Sequence, residues 1–201
     1  MKIQIIIFDG FDELDAIAPY EVLRAAAETG IDLHVDIVSL DGAEFATASH
    51  GLRVGVTGQF DEELDIALIP GGGWNSGSSQ GVRKEIERGI IPAKLRELHT
   101  QGKTIASVCT GAMIIAAAGL LKNRNATTHH TALGDLSEYG AHIRNARVVD
   151  DGEIITAGGI TSGLDLALWL IERYYGAELS ATIEKRLEYQ RQGEVWKNNP
   201  H

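Results

Sequence analysis

Two patterns of hydrophobic and polar positions alternate along the chain. Short apolar runs that stop at turn residues are typical of buried strands, and longer segments with apolar residues every three or four positions are typical of helices. The first pattern predicts strands at 3–8, 34–40, 66–69 and 104–108, one hairpin within 45–59, and a second that pairs 147–150 with 153–156. The second pattern predicts helices at 20–28, 91–101, 111–121, 164–174 and 179–189.

Two of these helices have recognisable start signals. Pro19 suits the first turn of the 20–28 helix, where its missing N–H is not needed, so Asp15 is expected just before that helix. Ser162 and Asp165 have the spacing of a capping box at the start of the 164–174 helix.

The order of strands and helices predicts the fold class. Alternation of the two indicates βαβ units, and therefore an α/β three-layer sandwich with a mostly parallel sheet and helices on both faces. We expect one domain over residues 1–201, with 179–201 as a C-terminal helix and tail. Ligands of such folds bind beyond the carboxyl ends of the strands. The loops 9–15, 71–79 and 109–111 follow strand ends, so they are expected on one rim.

Composition and charge exclude several classes of protein. The chain has 44% hydrophobic and 23% charged residues, which is typical of a soluble globular protein. Its 28 acidic and 18 basic residues give a net charge of −10, which disfavours nucleic acid as a partner. The N-terminal apolar run is too short for a signal peptide or a membrane span. One cysteine excludes an intramolecular disulfide, and we expect a cytoplasmic protein.

Cys109 is the centre of the predicted chemistry. It stands between a predicted strand and a predicted helix, with small neighbours in Ser107, Gly111 and Ala112. Small neighbours are what a nucleophile at a sharp strand-to-helix turn requires. The positive end of the helix dipole is expected to lower the pKa of the thiol and favour the thiolate. The alternative is a buried structural thiol.

Asp15 and two backbone groups are the predicted partners of this cysteine. Asp15 is the candidate acid and base, because partial burial beside a thiolate would raise the pKa of its carboxyl. A stabilising role at a helix start is the alternative. The amides of Gly71, Gly72 and Thr110 are candidate donors to a developing negative charge, although Pro-Gly-Gly-Gly alone also suits a flexible turn.

Two histidines complete the list of candidates. His129 or His130 could pair with the thiolate, and a surface role is favoured for His130. No other His or Cys has a spacing that would build a metal site with them, so no metal is predicted. Residues 71–79 lack the Gly-Lys-Ser/Thr end of a phosphate-binding P-loop.

At these residues the chain resembles the ThiJ/PfpI superfamily, which is glutamine-amidotransferase-like, along nearly its whole length. The resemblance implies a flavodoxin-like fold, Cys109 as the elbow nucleophile, and Asp15 as the acid that hydrogen-bonds it. It further implies that Gly72 and Thr110 supply backbone donors and that Gly71 and Gly159 lie near the site. The family's usual assembly implies a homodimer. The matching segments are Phe8-Asp9-Gly10-Phe11, Leu14-Asp15, Glu21-Val22-Leu23, Ile69-Pro70-Gly71-Gly72, Ser107-Val108-Cys109-Thr110-Gly111, Ala126-Thr127-Thr128-His129 and Thr156-Ala157-Gly158-Gly159-Ile160-Thr161-Ser162-Gly163-Leu164-Asp165.

Within the superfamily, Asp15 and the Cys-Thr-Gly elbow are most similar to isocyanide hydratases. This resemblance implies a lyase that adds water to a small isocyanide, R–N≡C, and releases an N-substituted formamide. Cys109 would attack the carbon, Asp15 would move protons, and Thr110 would hold the cysteine. No metal or organic cofactor is implied.

Two other interpretations remain open, and a third is disfavoured. A glyoxalase or deglycase would use the thiolate on aldehydes, but that branch usually has Glu in place of Asp15. In a sensor like that of AraC-type regulators, Cys109 would become oxidised without catalysing a reaction. We expect no DNA-binding region of the kind those regulators carry, because 201 residues leave no room for it. Peptidase activity is disfavoured because Thr110, and not His, follows the cysteine. The Trp74 loop and the tail at 188–193 differ from the hydratase pattern.

Overall fold

The computed structural model describes residues 1–198. Its strands are β1 Lys2–Ile6, β2 His34–Val38, β3 Phe45–Thr47, β4 Arg53–Gly55, β5 Ile66–Ile69, β6 Thr104–Ser107, β7 Asn125–Ala126, β8 His142–Ile143, β9 Val148–Asp150, β10 Ile154–Ala157 and β11 Trp196–Lys197. Its helices are α1 Glu13–Ala27, α2 Val82–Arg88, α3 Ile90–Thr100, α4 Gly111–Ala117, α5 Leu133–Glu138, α6 Ser162–Tyr175 and α7 Ala177–Arg186, with a 3-10 turn at His130–Ala132.

Seven strands form the central sheet in the order β11-β9-β10-β6-β5-β1-β2. All neighbouring pairs are parallel except β9 with β10, which form the predicted antiparallel hairpin. The other predicted hairpin, β3 with β4, stands apart as a two-stranded sheet. The predicted α/β class with a mostly parallel, flavodoxin-like sheet is confirmed.

Helices cover both faces of the sheet in two groups. The first group is α1, α6 and α7, and the second is α2, α3 and α4. Because the strands at the centre of the sheet are covered on both sides, β5 is apolar along its whole length and does not alternate. Ile5, Leu68 and Ala106 illustrate this, since they are register partners across β1, β5 and β6 and are all completely buried.

The first helix begins earlier than predicted, and this moves Asp15. Asp12 caps α1 by accepting a hydrogen bond from the Leu14 amide, so Asp15 lies in the first turn and not before the helix. Pro19 lies inside α1 and not in its first turn. A proline cannot donate to the carbonyl four residues earlier, so the Asp15 carbonyl loses its usual helical partner there. The predicted boundary followed the proline and missed the stronger signal of the Asp12 cap.

Several other boundaries differ from the predictions. The capping box is wrong, because Ser162 donates to the Gly159 carbonyl while Asp165 pairs with Arg147. The α2 helix, the short pair β7–β8 and the strand β11 were not predicted. The predicted 179–189 helix runs instead from Ala177 to Arg186. Residues 199–201 of the predicted tail lie outside the described residues. None of the helices described has the length and hydrophobicity to span a membrane.

Candidate active site

Three loops meet at the carboxyl edge of the sheet, as predicted. The Asp12 amide donates to the Gly71 carbonyl at 2.8 Å, and the Gly71 amide donates to Oδ2 of Asp15 at 2.9 Å. The Gly72 amide donates to Oγ1 of Thr110 at 3.0 Å. Loop 71–79 therefore binds both the start of α1 and the turn that contains the cysteine.

Cys109 occupies the sharp turn between β6 and α4. Its φ of 54° lies in the left-handed region, which non-glycine residues adopt only when surrounding contacts hold them there. The Cys109 amide donates to the carbonyls of Ala157 and Gly158, and its own carbonyl accepts from Oγ1 of Thr128. These contacts from β10 and the 127–128 segment fix the elbow.

Small residues are required around this turn. A Cβ on Gly111 would lie 2.2 Å from the Ile69 carbonyl oxygen. A Cβ on Gly71 would lie 2.5 Å from the Thr110 amide nitrogen and 3.0 Å from Oδ2 of Asp15. The predicted role of small neighbours thus has a direct steric cause, and Gly71 is part of it.

The surroundings of the Cys109 sulfur raise its pKa, contrary to the prediction. Burial is the largest cause, the nearby Asp15 carboxyl adds to it, and together they raise the pKa of the thiol to about 12. Hydrogen bonds from the amides of Thr110 and Ile160 act in the opposite direction. The predicted helix effect is too small, because α4 has only seven residues and the thiol is 6% exposed.

Ile160 is a site residue that the sequence analysis missed. Its amide faces the sulfur from the loop after β10, and its φ is 30°. Because the contact is made by the backbone, the isoleucine side chain gives no signal. The Gly-Gly-Ile-Thr motif around it was the only available clue.

Asp15 is completely buried against the cysteine. Burial and the charge of Asp12 raise the pKa of its carboxyl well above the usual value, while hydrogen bonds with the Gly71 amide and the Cys109 thiol lower it. Its Oδ1 is buried and has no hydrogen-bond partner of good geometry within residues 1–198. The predicted rise is confirmed, and the carboxyl holds a proton at a pH where an exposed Asp would not.

This raised pKa predicts a pH-dependent stability difference between the protein and Asp15→Asn. The folded state keeps the Asp15 proton above the unfolded pKa of about 3.9, so wild-type stability declines as pH rises toward the folded pKa. Asn cannot ionise, so the variant does not show this decline. Within that pH window, the free energy of unfolding of the variant should therefore rise relative to that of the wild type by about 1.4 kcal/mol per pH unit. Urea unfolding of both proteins from pH 5 upward measures it, and parallel pH profiles would contradict it.

Gly72 and Thr110 are hydrogen-bonded to each other, so the Gly72 amide does not point into open space. The Gly72 amide is taken by the Thr110 hydroxyl, while the Thr110 amide faces the sulfur. Thr110 is 5% exposed, so its hydroxyl is a buried link between the glycine loop and the elbow.

Removing this hydroxyl tests the link. Thr110→Val leaves the Gly72 amide without its partner, which should lower the free energy of unfolding by about 1–3 kcal/mol. Thr110→Ser keeps the hydroxyl and should retain most of that stability. Denaturant unfolding of the two variants measures the difference, and equal losses would show that the methyl group matters more than the hydrogen bond.

His129 lies in the wall of a cavity beside the elbow. The cavity has a volume of about 650 Å³ and is also lined by Gly159, Ile160 and Arg147. A Cβ on Gly159 would lie 2.4 Å from Cδ2 of His129, so the imidazole packs directly on that glycine. Burial and the neighbouring His130 lower the pKa of His129. Within residues 1–198, no hydrogen bond joins His129 or His130 to Cys109.

A separate polar group holds the β3–β4 hairpin to the start of α1. Ligand atoms of Asp12, Glu13 and His50 lie within 4.8 Å of one another. Burial opposes ionisation of Glu13, but its hydrogen bond with His50 lowers the pKa of its carboxyl to about 2. The Glu13 carboxylate accepts from Nδ1 of His50 at 2.7 Å, which explains the cluster as an ion pair.

The fold and this site define a class of protein. A mostly parallel sheet presents a strained cysteine at a sharp strand-to-helix turn, with a buried carboxyl and two amides around the sulfur. Residues 1–173 match the model of the DJ-1/PfpI family, and the chain belongs to that family.

Relatives of this chain are named for different activities. An isonitrile hydratase of Pseudomonas putida is 33% identical over 94% of this chain and 78% of its own. A deglycase of Thermococcus kodakarensis is 34% identical over 78% of this chain and 89% of its own. A ThiJ/PfpI family protein from Pseudomonas syringae is structurally similar, with a TM-score of 0.80 and 26% identity over 96% of this chain and 76% of its own.

Proposed function

We propose that the protein adds water to a small isocyanide and releases an N-substituted formamide. The observation that supports this reaction is the pair of Cys109 and the buried Asp15, whose surroundings raise the pKa of its carboxyl. An isocyanide carbon must receive both a proton and a nucleophile, and this pair supplies one of each. The similarity to an isonitrile hydratase points to the same chemistry.

In the first step, the S–H bond is added across the isocyanide carbon. Asp15 donates its proton to the terminal carbon, and the Cys109 sulfur forms a C–S bond to the same atom. The thiol proton passes to the Asp15 carboxylate, which is thereby restored to the acid. The product is a thioimidate, R–N=CH–S–Cys109, and the thiol need not be ionised beforehand.

In the second step, water replaces the sulfur. Water forms a C–O bond at the thioimidate carbon, its proton goes through Asp15 to the nitrogen, and R–NH–CH(OH)–S–Cys109 results. The C–S bond then breaks, the hydroxyl proton returns to the sulfur, and R–NH–CHO leaves. The amides of Thr110 and Ile160 stabilise the sulfur while it is negatively charged.

The direct test is formamide production from a small isocyanide such as cyclohexyl isocyanide, with the protein reduced. We expect catalytic turnover that follows protein concentration and is lost after alkylation of the thiol. Absence of turnover by reduced, folded protein would exclude the hydratase activity for such substrates.

The similarity to a deglycase supports a second candidate, in which the thiol adds to the carbonyl of a reactive aldehyde. Methylglyoxal assayed in parallel separates the two. Lactate without formamide production would favour the aldehyde reaction. Oxidation of Cys109 without turnover of either substrate would favour the sensor.

We also propose that the protein acts as a homodimer. Large apolar side chains are exposed on the segments around the site, with Leu14 at 40%, Leu52 at 50% and Ile160 at 37%. Covering them would remove apolar surface from water and close the site. Sedimentation equilibrium should give twice the chain mass, and Leu52→Glu should shift the protein toward monomer. A monomeric wild-type protein at micromolar concentration would contradict this assembly.

A further inference from the structure

The loop that contains Trp74 and Asn75 is connected to His129 by a chain of hydrogen bonds with fixed directions. Nδ2 of Asn75 donates to Oγ1 of Thr131 at 2.7 Å and approaches the Thr131 carbonyl oxygen at 3.5 Å. A carbonyl oxygen can only accept, which places the nitrogen of the Asn75 amide on this side. The Thr131 hydroxyl therefore accepts from Asn75, and its own proton is free to point elsewhere.

That proton points to His129. Nδ1 of His129 lies 2.8 Å from Oγ1 of Thr131, and the Thr131 amide also donates to Nδ1 at 3.3 Å. A backbone N–H can only donate, so Nδ1 is unprotonated. A neutral imidazole with a bare Nδ1 has its proton on Nε2. If Nδ1 were protonated, its N–H would face the N–H of the Thr131 amide, and neither could accept. These contacts therefore favour the neutral ring.

The loop itself is held in place by Trp74. Its indole Nε1 donates to Oδ2 of Asp135 at 2.6 Å, and its carbonyl accepts from Nε of Arg83 at 2.6 Å. The Arg83 guanidinium lies 3.9 Å from the centre of the indole ring. Trp74 is 7% exposed, so it is an internal anchor that sets the position of the next residue, Asn75.

The Cδ2–Nε2 edge of the ring packs on Gly159, in the wall of the cavity. No protein atom within residues 1–198 accepts a hydrogen bond from Nε2. The ring packs on Gly159, and the next residue, Ile160, contributes the amide that faces the Cys109 sulfur. His129 and Ile160 therefore line the same cavity, and the Ile160 amide marks the side of that cavity nearest the sulfur.

We propose that Asn75 and Thr131 are positioning residues that hold His129 as a neutral Nε2–H donor, and that this donor binds the oxygen which water delivers to the thioimidate carbon. His129 then acts as a hydrogen-bond donor and not as a base toward the thiol. This role rests on the proposed hydration, whereas the tautomer of His129 does not.

The tautomer is measured first, in the protein without substrate. Two-bond ¹H–¹⁵N correlation spectra at pH 7 report which ring nitrogen holds the proton, and His129→Gln identifies the signals. We expect Nδ1 unprotonated and Nε2 protonated. A proton on Nδ1 would overturn the proposal whether or not the protein hydrates isocyanides.

The substitution Asn75→Asp then reverses the direction of the hydrogen bond between residue 75 and Thr131. A carboxylate accepts from the Thr131 hydroxyl and turns it away from Nδ1, so the His129 titration should move to higher pH. Formamide turnover should fall about 10-fold, and about 100-fold for His129→Ala, near the low end for loss of a transition-state donor. Thr131→Val should resemble Asn75→Asp, while Thr131→Ser and the exposed Ser79→Ala should match wild type.

The two readouts separate the parts of the proposal. An unchanged His129 titration in Asn75→Asp would overturn the role of Asn75. The expected spectra together with full turnover by His129→Ala would overturn the role of the donor. If wild type turns over no isocyanide, the proposed function fails, and the spectra still decide whether the chain of hydrogen bonds fixes the ring.

Discussion

Replacement of Cys109 by serine should reduce formamide production by at least about 10³-fold, because the reaction begins with a C–S bond. A serine hydroxyl is a far weaker nucleophile, and within residues 1–198 no histidine or lysine side chain is hydrogen-bonded to this position to activate it. The elbow itself should survive, since its hydrogen bonds are made by the Cys109 backbone. Formamide release from cyclohexyl isocyanide, measured by chromatography, gives the rate.

Ser107→Ala is the matched control for this substitution. Ser107 is buried in β6 two residues before the cysteine, and its hydroxyl has no hydrogen-bond partner within residues 1–198. Removing an unpaired hydroxyl should leave both turnover and stability nearly unchanged. Full turnover by Cys109→Ser would contradict the covalent mechanism and require direct attack of water.

The strands and the location of the site were predictable because they depend on local patterns. The run 66–69 is entirely apolar and ends at Pro70, and the observed β5 has the same bounds. The small residues after Cys109 indicated the elbow for a steric reason that the structure confirms. Parallel strands then bring the loops that follow them to one edge, so Asp15, Gly71 and Thr110 could be placed together.

The pKa of Cys109 could not be predicted in the same way. Its sign depends on a competition between burial, the Asp15 carboxyl and two amides, and all of these come from distant parts of the chain. The sequence shows only the local helix that follows the cysteine. The donor at Ile160 was missed for a related reason, since a backbone amide belongs to every residue and only tertiary structure selects one.

The corrected pKa changes the expected role of Asp15. A preformed thiolate would need the acid only for later steps, whereas a neutral thiol needs Asp15 from the start. In the proposed hydration, the acid protonates the isocyanide carbon and then receives the thiol proton. Its burial beside Cys109 suits both transfers.

Asp15→Asn should therefore reduce turnover by about 10²–10⁴-fold, the range for loss of a general acid and base. Asn can accept the Gly71 hydrogen bond through its amide oxygen, so the loop contact can be kept, but it cannot exchange a proton. Asp12→Asn makes the same chemical change three residues earlier, and Asn caps helices as well as Asp. Because the charge of Asp12 only helps to raise the Asp15 pKa, this variant should lose much less turnover than Asp15→Asn.

A second readout distinguishes loss of the proton carrier from loss of structure. Once Asp15 has ionised, its charge helps to raise the pKa of Cys109, so Asp15→Asn should move the alkaline pH dependence of thiol alkylation by iodoacetamide to lower pH. The variant would then have more thiolate at alkaline pH and yet far less turnover. Retained turnover would mean that water or another group moves the protons. An alkylation profile at higher pH than in wild type would mean that the elbow itself had been disturbed.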